Sequence, residues 1–551
     1  MTTKTASIVR LFALAMMTLA ALAGCEVTPL YIGFLQVDGT SSSSSSTSAT
    51  GGAGGTGGVG GGPLCMPGAM QPCYDGPAGT ENKGICTAGT QTCAADGSSW
   101  GPCVGEVLPQ PENCATPIDE DCDGKAPPCK GALLWAKRFG GSGAEHGQAI
   151  ASDGANNVLV TGYFYGAVDF GGGLLGSAGQ SDAFVVKLSA DGSHVWSRQF
   201  GGSGSEVGTG VAVDGAGNVI VTGRLGGTVD FGGGPLTSGQ NGLYIVKLDA
   251  NGSHVWSKGF GDIVIGNSVA VDGAGNVVVA GHFHGTVDFG GGLLTSGGDQ
   301  DIFVAKFDAT GAHVWSRRAG DSAGQYATSV AVDDVGNVIV TGRFSGTIDF
   351  GGAPFAGGDD IFVVKLDSAG NHVWSKGFGD ANTQNGNGVA VDPNGNVIIA
   401  GEFSGTADFG GGPLVSAGGT DIFVSKLDAS GGHLWSERFG DANDQTAAGV
   451  ATDPGGNVLV TGGIAGEADF GGGPLASAGA ADLFVVKLDA SGGYLWGKRV
   501  GDATDQLGQS IAADVMGNVL VTGTMYGSAD FGAGPLASAG SADIFVAKLG
   551  P

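Results

Sequence analysis

Three carboxylates at alternate positions, Asp119, Asp121 and Asp123, run directly into Gly124. That spacing lets three oxygen ligands converge on one hard cation while the glycine permits the tight turn, which is the opening of an EF-hand calcium loop. The twelfth position of such a loop is Lys130, where a bidentate glutamate is expected. The alternatives are therefore an incomplete or differently closed calcium site and a plain acidic turn pinned by cysteines. Further along, Glu145, Glu206, Gln325, Gln384, Gln445 and Gln506 stand at matching places in loops of varying length, and Tyr163, Arg224, His282, Arg343, Glu402 and Thr524 each follow a strand's glycine. Two such rings at a channel mouth suit a ligand or cation, and the competing reading is ordinary solvated loop chemistry. Glu145 and Glu206 are also the carboxylates that a hydrolase or lyase of extracellular polysaccharide would use. His282 and His284, two apart on an expected strand, would share one face as a paired-imidazole metal site without a third ligand. No nucleophile stands beside a base, and neither Gly-x-Ser-x-Gly, His-Glu-x-x-His nor a phosphate loop occurs.

The elements that must position these residues are written in a repeat. Trp135, Trp196, Trp256, Trp315, Trp374, Trp435 and Trp496 recur every 59 to 61 residues. Each unit holds four strand patterns, such as Gly210-Val211-Ala212-Val213, Val219-Ile220-Val221-Thr222-Gly223, Asp360-Ile361-Phe362-Val363-Val364-Lys365-Leu366 and His372-Val373-Trp374-Ser375-Lys376. Turn signals such as Asp214-Gly215-Ala216-Gly217-Asn218 separate them. Units that cannot bury their own faces must stack, and seven four-stranded units closing on themselves predict an all-β, seven-bladed β-propeller. Small residues in the first two strands suit the narrow axis, and the aromatics of the last two suit the widening gap between blades.

The units begin and end out of phase. Leu133-Leu134-Trp135-Ala136-Lys137 is a fourth-type strand before any first strand, and the last unit stops at the third-type strand Asp543 to Leu549. We expect Leu133 to Arg138 to complete the seventh blade, removing the exposed edge and predicting a monomer. His194, His254, His313, His372 and His433 occupy one place in the repeat and read as scaffold, as does Asp-Phe-Gly, which occurs seven times without the other signatures of a kinase.

The motifs Asp-x-x-Gly-Asn, Val-Thr-Gly and Asp-Ile-Phe-Val-x-Lys-Leu with the following Trp, over 132–551, resemble the bacterial seven-bladed β-propeller repeat family. That resemblance implies an exported propeller and brings no catalytic residues. The repeats lack the tryptophan-docking spacing of quinone-cofactor dehydrogenase propellers.

Upstream, Lys4 and Arg10 precede an apolar run from Leu11 to Ala23, the layout of a secretory signal. Leu22-Ala23-Gly24-Cys25 resembles the bacterial lipobox, which implies lipidation at Cys25, and Glu26 in place of aspartate points to the outer membrane and the cell surface. Ser41 to Ser46 and the glycine run from Gly51 to Gly62 read as a flexible tether. Cys65, Cys73, Cys86, Cys93, Cys103, Cys114, Cys122 and Cys129 fall between tether and repeats. An even count in an exported segment predicts four disulfides, with 105 connectivities open, against a zinc site that would want closer cysteine spacing. Cys73-Tyr74-Asp75-Gly76-Pro77 together with Asp119 to Gly124 resembles the metal-binding module of myxobacterial surface proteins, over 65–129. The expected divisions are a signal over 1–24, a lipidated tether over 25–63, a cysteine-rich module over 64–130 and the propeller over 131–551.

The net charge of −28 argues against nucleic acid as a partner. The reading that follows is a membrane-anchored lipoprotein whose propeller binds protein or glycan without catalysis. The alternatives are the polysaccharide hydrolase or lyase and an envelope scaffold whose ligand is calcium.

Overall fold

The computed structural model describes residues 64–110, 119, 122, 124, 130–239 and 241–551. Cys25, the tether, Cys114, Cys129, Asp121 and Asp123 lie outside the described residues. In the cysteine-rich segment, disulfides join Cys65 to Cys93, Cys73 to Cys103 and Cys86 to Cys122. Asp119 is buried there, and one of its carboxylate oxygens accepts the Gly124 N–H at 2.9 Å.

Seven four-stranded antiparallel sheets follow, each built in the order first, second, third and fourth strand. Blade 1 comprises Glu145–Ser152, Val158–Asp169, Leu174–Leu188 and His194–Phe200. Blade 2 begins at Val207, blade 3 at Val264, blade 4 at Gln325, blade 5 at Gln384, blade 6 at Gln445 and blade 7 at Gln506. The first strands surround a central channel, and the apolar cores lie between blades. Leu159, Val185 and Trp196 of blade 1 pack with Val211, Val221 and Tyr244 of blade 2, so neither blade is complete alone.

The ring closes as the phase shift requires. Leu133–Phe139 pairs antiparallel with Asp543–Leu549 as the fourth strand of blade 7. Even the turn between these strands is rebuilt from two separate segments. In blade 6 the Asp489 N–H bonds to Gly493 O and the Gly492 N–H to Asp489 O; in blade 7 the Gly550 N–H bonds to Ala132 O at 2.7 Å and the Gly131 N–H to Gly550 O at 3.3 Å. Gly131, with φ of 66°, lies under Trp496 as Gly492 lies under Trp435.

One feature adds to the four-strand pattern. In five blades the connection between second and third strands carries its own two-stranded hairpin, such as Thr228–Asp230 with Pro235–Thr237. In blades 1 and 4 the two strands continue through this connection instead, with a register shift between Tyr165 and Ala167 and between Phe344 and Ser345. The Asp-Phe-Gly motif is the tip of this hairpin. Asp230 caps the Gly232 and Gly234 N–H groups at 2.7 and 3.0 Å, while Phe231 lies 4.8 Å from the Tyr244 ring. The scaffold histidines sit beneath it: a Cβ on Gly233 would fall 2.3 Å from His254 Cε1.

Within each blade an aspartate ending the first strand meets a lysine of the third in a buried ion pair. The Nζ–Oδ2 distance is 2.9 Å for Lys187 and Asp153 and 3.0 Å for Lys365 and Asp333. Asp333 Oδ1 also accepts two turn N–H groups and Oδ2 accepts from Asn337, so every oxygen is used. These bonds outweigh the effect of burial, which alone would raise it, and hold the Asp333 carboxyl below the ordinary carboxylate range. Lys365 reaches on to the Ala429 carbonyl in blade 5, which also accepts the Trp374 indole N–H at 3.1 Å. Replacing one member of a buried pair leaves a charge unmatched, so Lys365→Met should lower stability by about 3–5 kcal/mol. Adding Asp333→Asn should restore part of that loss, both measured by urea denaturation followed through tryptophan fluorescence.

Candidate functional site

Each first strand carries a β-bulge near its start, between Gly147 and Ala149 in blade 1 and at the matching place in the other six. A bulge leaves one residue out of the ladder and re-aims its side chain. The residues left out are Gln148, Thr209, Asn267, Thr328, Asn387, Ala448 and Gln509, and they line a cavity of about 180 Å³ on the axis. The backbones come so close here that a Cβ on Gly162 would meet His146 O at 1.9 Å, and the same holds at Gly223, Gly281, Gly342, Gly401 and Gly462. Glycine is required there on steric grounds, and the residue after it stands at the mouth of the channel.

That next residue is Tyr163, Arg224, His282, Arg343, Glu402, Gly463 or Thr524, and side chains of the first strands link several of them, in places across neighbouring blades. His146 stacks on Tyr163 with ring centroids 4.7 Å apart and its Nδ1 lies 3.1 Å from Thr524 Oγ1 of blade 7. The edge of His282 meets Tyr326 of blade 4 at 4.9 Å, and Arg343 lies over the Tyr326 ring at 4.8 Å. Burial, with Arg343 beside it, pushes His282 down to about 4, so this imidazole is neutral at physiological pH. Burial also raises the Tyr163 hydroxyl and lowers His146. Glu402 accepts from Asn385 at 2.9 Å and from the bulge residue Asn387 at 3.2 Å, which ties the rim to the channel. His284 lies beyond the end of its strand at Phe283 and is exposed, so alternation along a strand does not place it on the face of His282.

The other expected ring is placed differently. Glu145, Glu206, Gln325, Gln384, Gln445 and Gln506 are fully buried and turned into their own loops rather than toward the channel mouth. Gln325 shows the geometry: its Nε2 donates to Asp321 at 2.9 Å and to Ser345 O at 2.7 Å, and its Oε1 accepts the Asp321 N–H. The side chain thus latches the loop before the first strand to the connection after the second. Periodicity could show that these positions match but not that their loops fold back over them. For the same reason Glu145 and Glu206 do not face a groove.

At those two positions glutamate replaces glutamine, and the exchange has chemical consequences. Glu206 Oε2 accepts the Gly202 N–H at 2.9 Å, as Gln325 Oε1 accepts from Asp321. Its Oε1 is buried beside the Gly226 backbone, the counterpart of Ser345, and lacks the two donated hydrogen bonds of the Gln325 amide. Burial, with Asp182 nearby and opposed by the Gly202 bond, pushes Glu206 up to about 7; burial does the same to Glu145.

The beta-propeller repeat family model matches residues 195–224. The uncharacterized WD repeat-containing protein L264 of Acanthamoeba polyphaga mimivirus is 24% identical over 428 residues, which cover 60% of this chain and 30% of that protein. The regulatory protein FlaEY of Caulobacter vibrioides is 30% identical over 128 residues, covering 22% of this chain and 13% of its own. The chain thus matches less than a third of the length of either relative. Among solved structures, Sqt1 of Chaetomium thermophilum aligns with 77% of this chain and 99% of its own, at 12% identity and a TM-score of 0.39.

The raised carboxyl of Glu206 makes a signed prediction. The protonated form stabilises the fold, so its contribution is complete below the ordinary value of 4.5 and is lost as pH rises through about 7. Glu206→Gln should raise the Tm near about pH 8 and leave it almost unchanged near about pH 4.5. Thermal melts across that range measure the difference.

Proposed function

We propose that this chain is a lipid-anchored surface protein whose propeller offers its channel mouth to a protein or glycan partner, without catalysis of its own. One observation carries the reading. Seven copies of the repeat place seven residues in one backbone setting, and the fold demands glycine immediately before them, yet the residues themselves are Tyr, Arg, His, Arg, Glu, Gly and Thr. A position that packing dictated would repeat, as the core phenylalanines and the ion-paired lysines do. Divergence at the rim of a channel, one residue beyond a glycine that the fold demands, is what a binding surface requires. The enclosure of Glu145 and Glu206 gives the hydrolase reading no carboxylate pair in a groove, so binding is the stronger of the two.

The anchor belongs to the same proposal, because the lipobox at Cys25 would hold the propeller at the envelope while the glycine-rich segment spaces it outward. Cys25→Ser should move the protein from the membrane fraction to the soluble fraction, as read by fractionation and mass spectrometry of the mature N-terminus. The released full chain then serves as bait for glycan arrays and secreted proteins, with and without a calcium chelator. Capture should be lost on Tyr326→Ala with Glu402→Ala. Capture that survives both substitutions would place binding elsewhere on the molecule. A Tm and a capture profile indifferent to chelation would remove calcium from the account.

A further inference from the structure

The channel mouth holds side chains whose hydrogen-bonding capacity is unspent. Arg138, Arg318, Arg438 and Arg499 are ion-paired to buried aspartates, and Arg198 and Arg317 donate to turn carbonyls. Among the described residues, Arg224 and Arg343 have no carboxylate or carbonyl partner, and both occupy the same rim position, in blades 2 and 4. The bulge residues show the same division. Thr209, Asn267, Thr328 and Asn387 each donate to the next blade, at Gly266, Ala327, Gly386 and Ala447. Gln148 and Gln509, side by side in blades 1 and 7, line the cavity without such a bond.

We propose, building on the binding role of the channel mouth, that its ligand is an acidic oligosaccharide whose hexuronate carboxylates engage Arg224 and Arg343, one on each, and whose hydroxyls engage Gln148 and Gln509. A guanidinium fork matches a carboxylate in two parallel hydrogen bonds, and Arg343 is already oriented by the Tyr326 face beneath it. Glu402 of the neighbouring blade has both oxygens engaged by Asn385 and Asn387, so it does not take up the arginines' donors. On a chain of net charge −28, two unpaired arginines are a local exception, and general attraction for anions is not expected. A saccharide is favoured over an acidic peptide by the floor of the site. Carboxamides donate and accept together, as hydroxyl-rich ligands need, whereas peptide anchors fill apolar pockets.

The test uses the full-length Cys25→Ser protein and calorimetric titration with oligogalacturonate, its methyl ester, and guluronate, mannuronate and glucuronate oligomers. At least one hexuronate should bind. Methyl esterification or either substitution, Arg224→Gln or Arg343→Gln, should weaken it on the order of tenfold, with Arg343→Lys weakening it less. Tm values matching the parent would show that the variants are folded. The proposal is overturned if no hexuronate binds, if the ester binds as well as the acid, or if both Arg→Gln variants keep full affinity. Capture of a glutamate-rich peptide through the same arginines, in place of any uronate, also overturns it. A neutral glycan lost on Tyr326→Ala but kept by the arginine variants would sink the uronate assignment and leave the channel-mouth reading intact.

Discussion

A buried lysine ammonium must be matched, and in this propeller the match spans two blades. The carboxylate comes from the lysine's own blade, as Asp333 for Lys365, and the carbonyl comes from a turn of the next, as Ala429. The last of these lysines, Lys548, pairs with Asp514 of blade 7 and reaches the Ala190 carbonyl in blade 1. The cost of leaving a charge unpaired in the interior therefore opposes opening of the ring, alongside apolar packing between blades. Six repeat tryptophans donate to the same set of carbonyls from the outer strand.

The arrangement changes at one junction. Where the turn of blade 7 is assembled from Gly550 and Gly131, the Trp496 indole is buried without an acceptor and Lys487 turns to the Gly517 carbonyl instead. The strand pairing there is complete, so backbone hydrogen bonds carry the seam while the side-chain lattice is thinner. A cavity of about 570 Å³ lies beside it, lined by Trp496, Met516 and Pro551.

Scaffold and site are separated by a single residue. The bulge brings the first and second strands too close for any side chain at the glycine, and immediately beyond it the chain is free to vary. The seven blades can therefore share one set of packing contacts and still carry different rim chemistry. The same economy explains the two glutamates at latch positions, since a protonated carboxyl can stand in for a carboxamide when the surroundings are dry enough to keep it neutral.

The repeat period, the strand patterns and the phase shift at the two ends determined the fold, because each follows from which residues can be buried and at what spacing. The sequence also singled out the varied residues after the glycines and marked Asp-Phe-Gly as structural. It could not separate a buried loop latch from an exposed ring: Gln325 and Arg343 are equally polar and equally periodic, and only the path of the loop decides which meets water. Nor could it pair Lys365 with Asp333 across 32 residues, or show that, among the described arginines, Arg224 and Arg343 lack a carboxylate or carbonyl partner. Those are properties of contacts between distant segments, and they exist only once seven blades have closed around one axis.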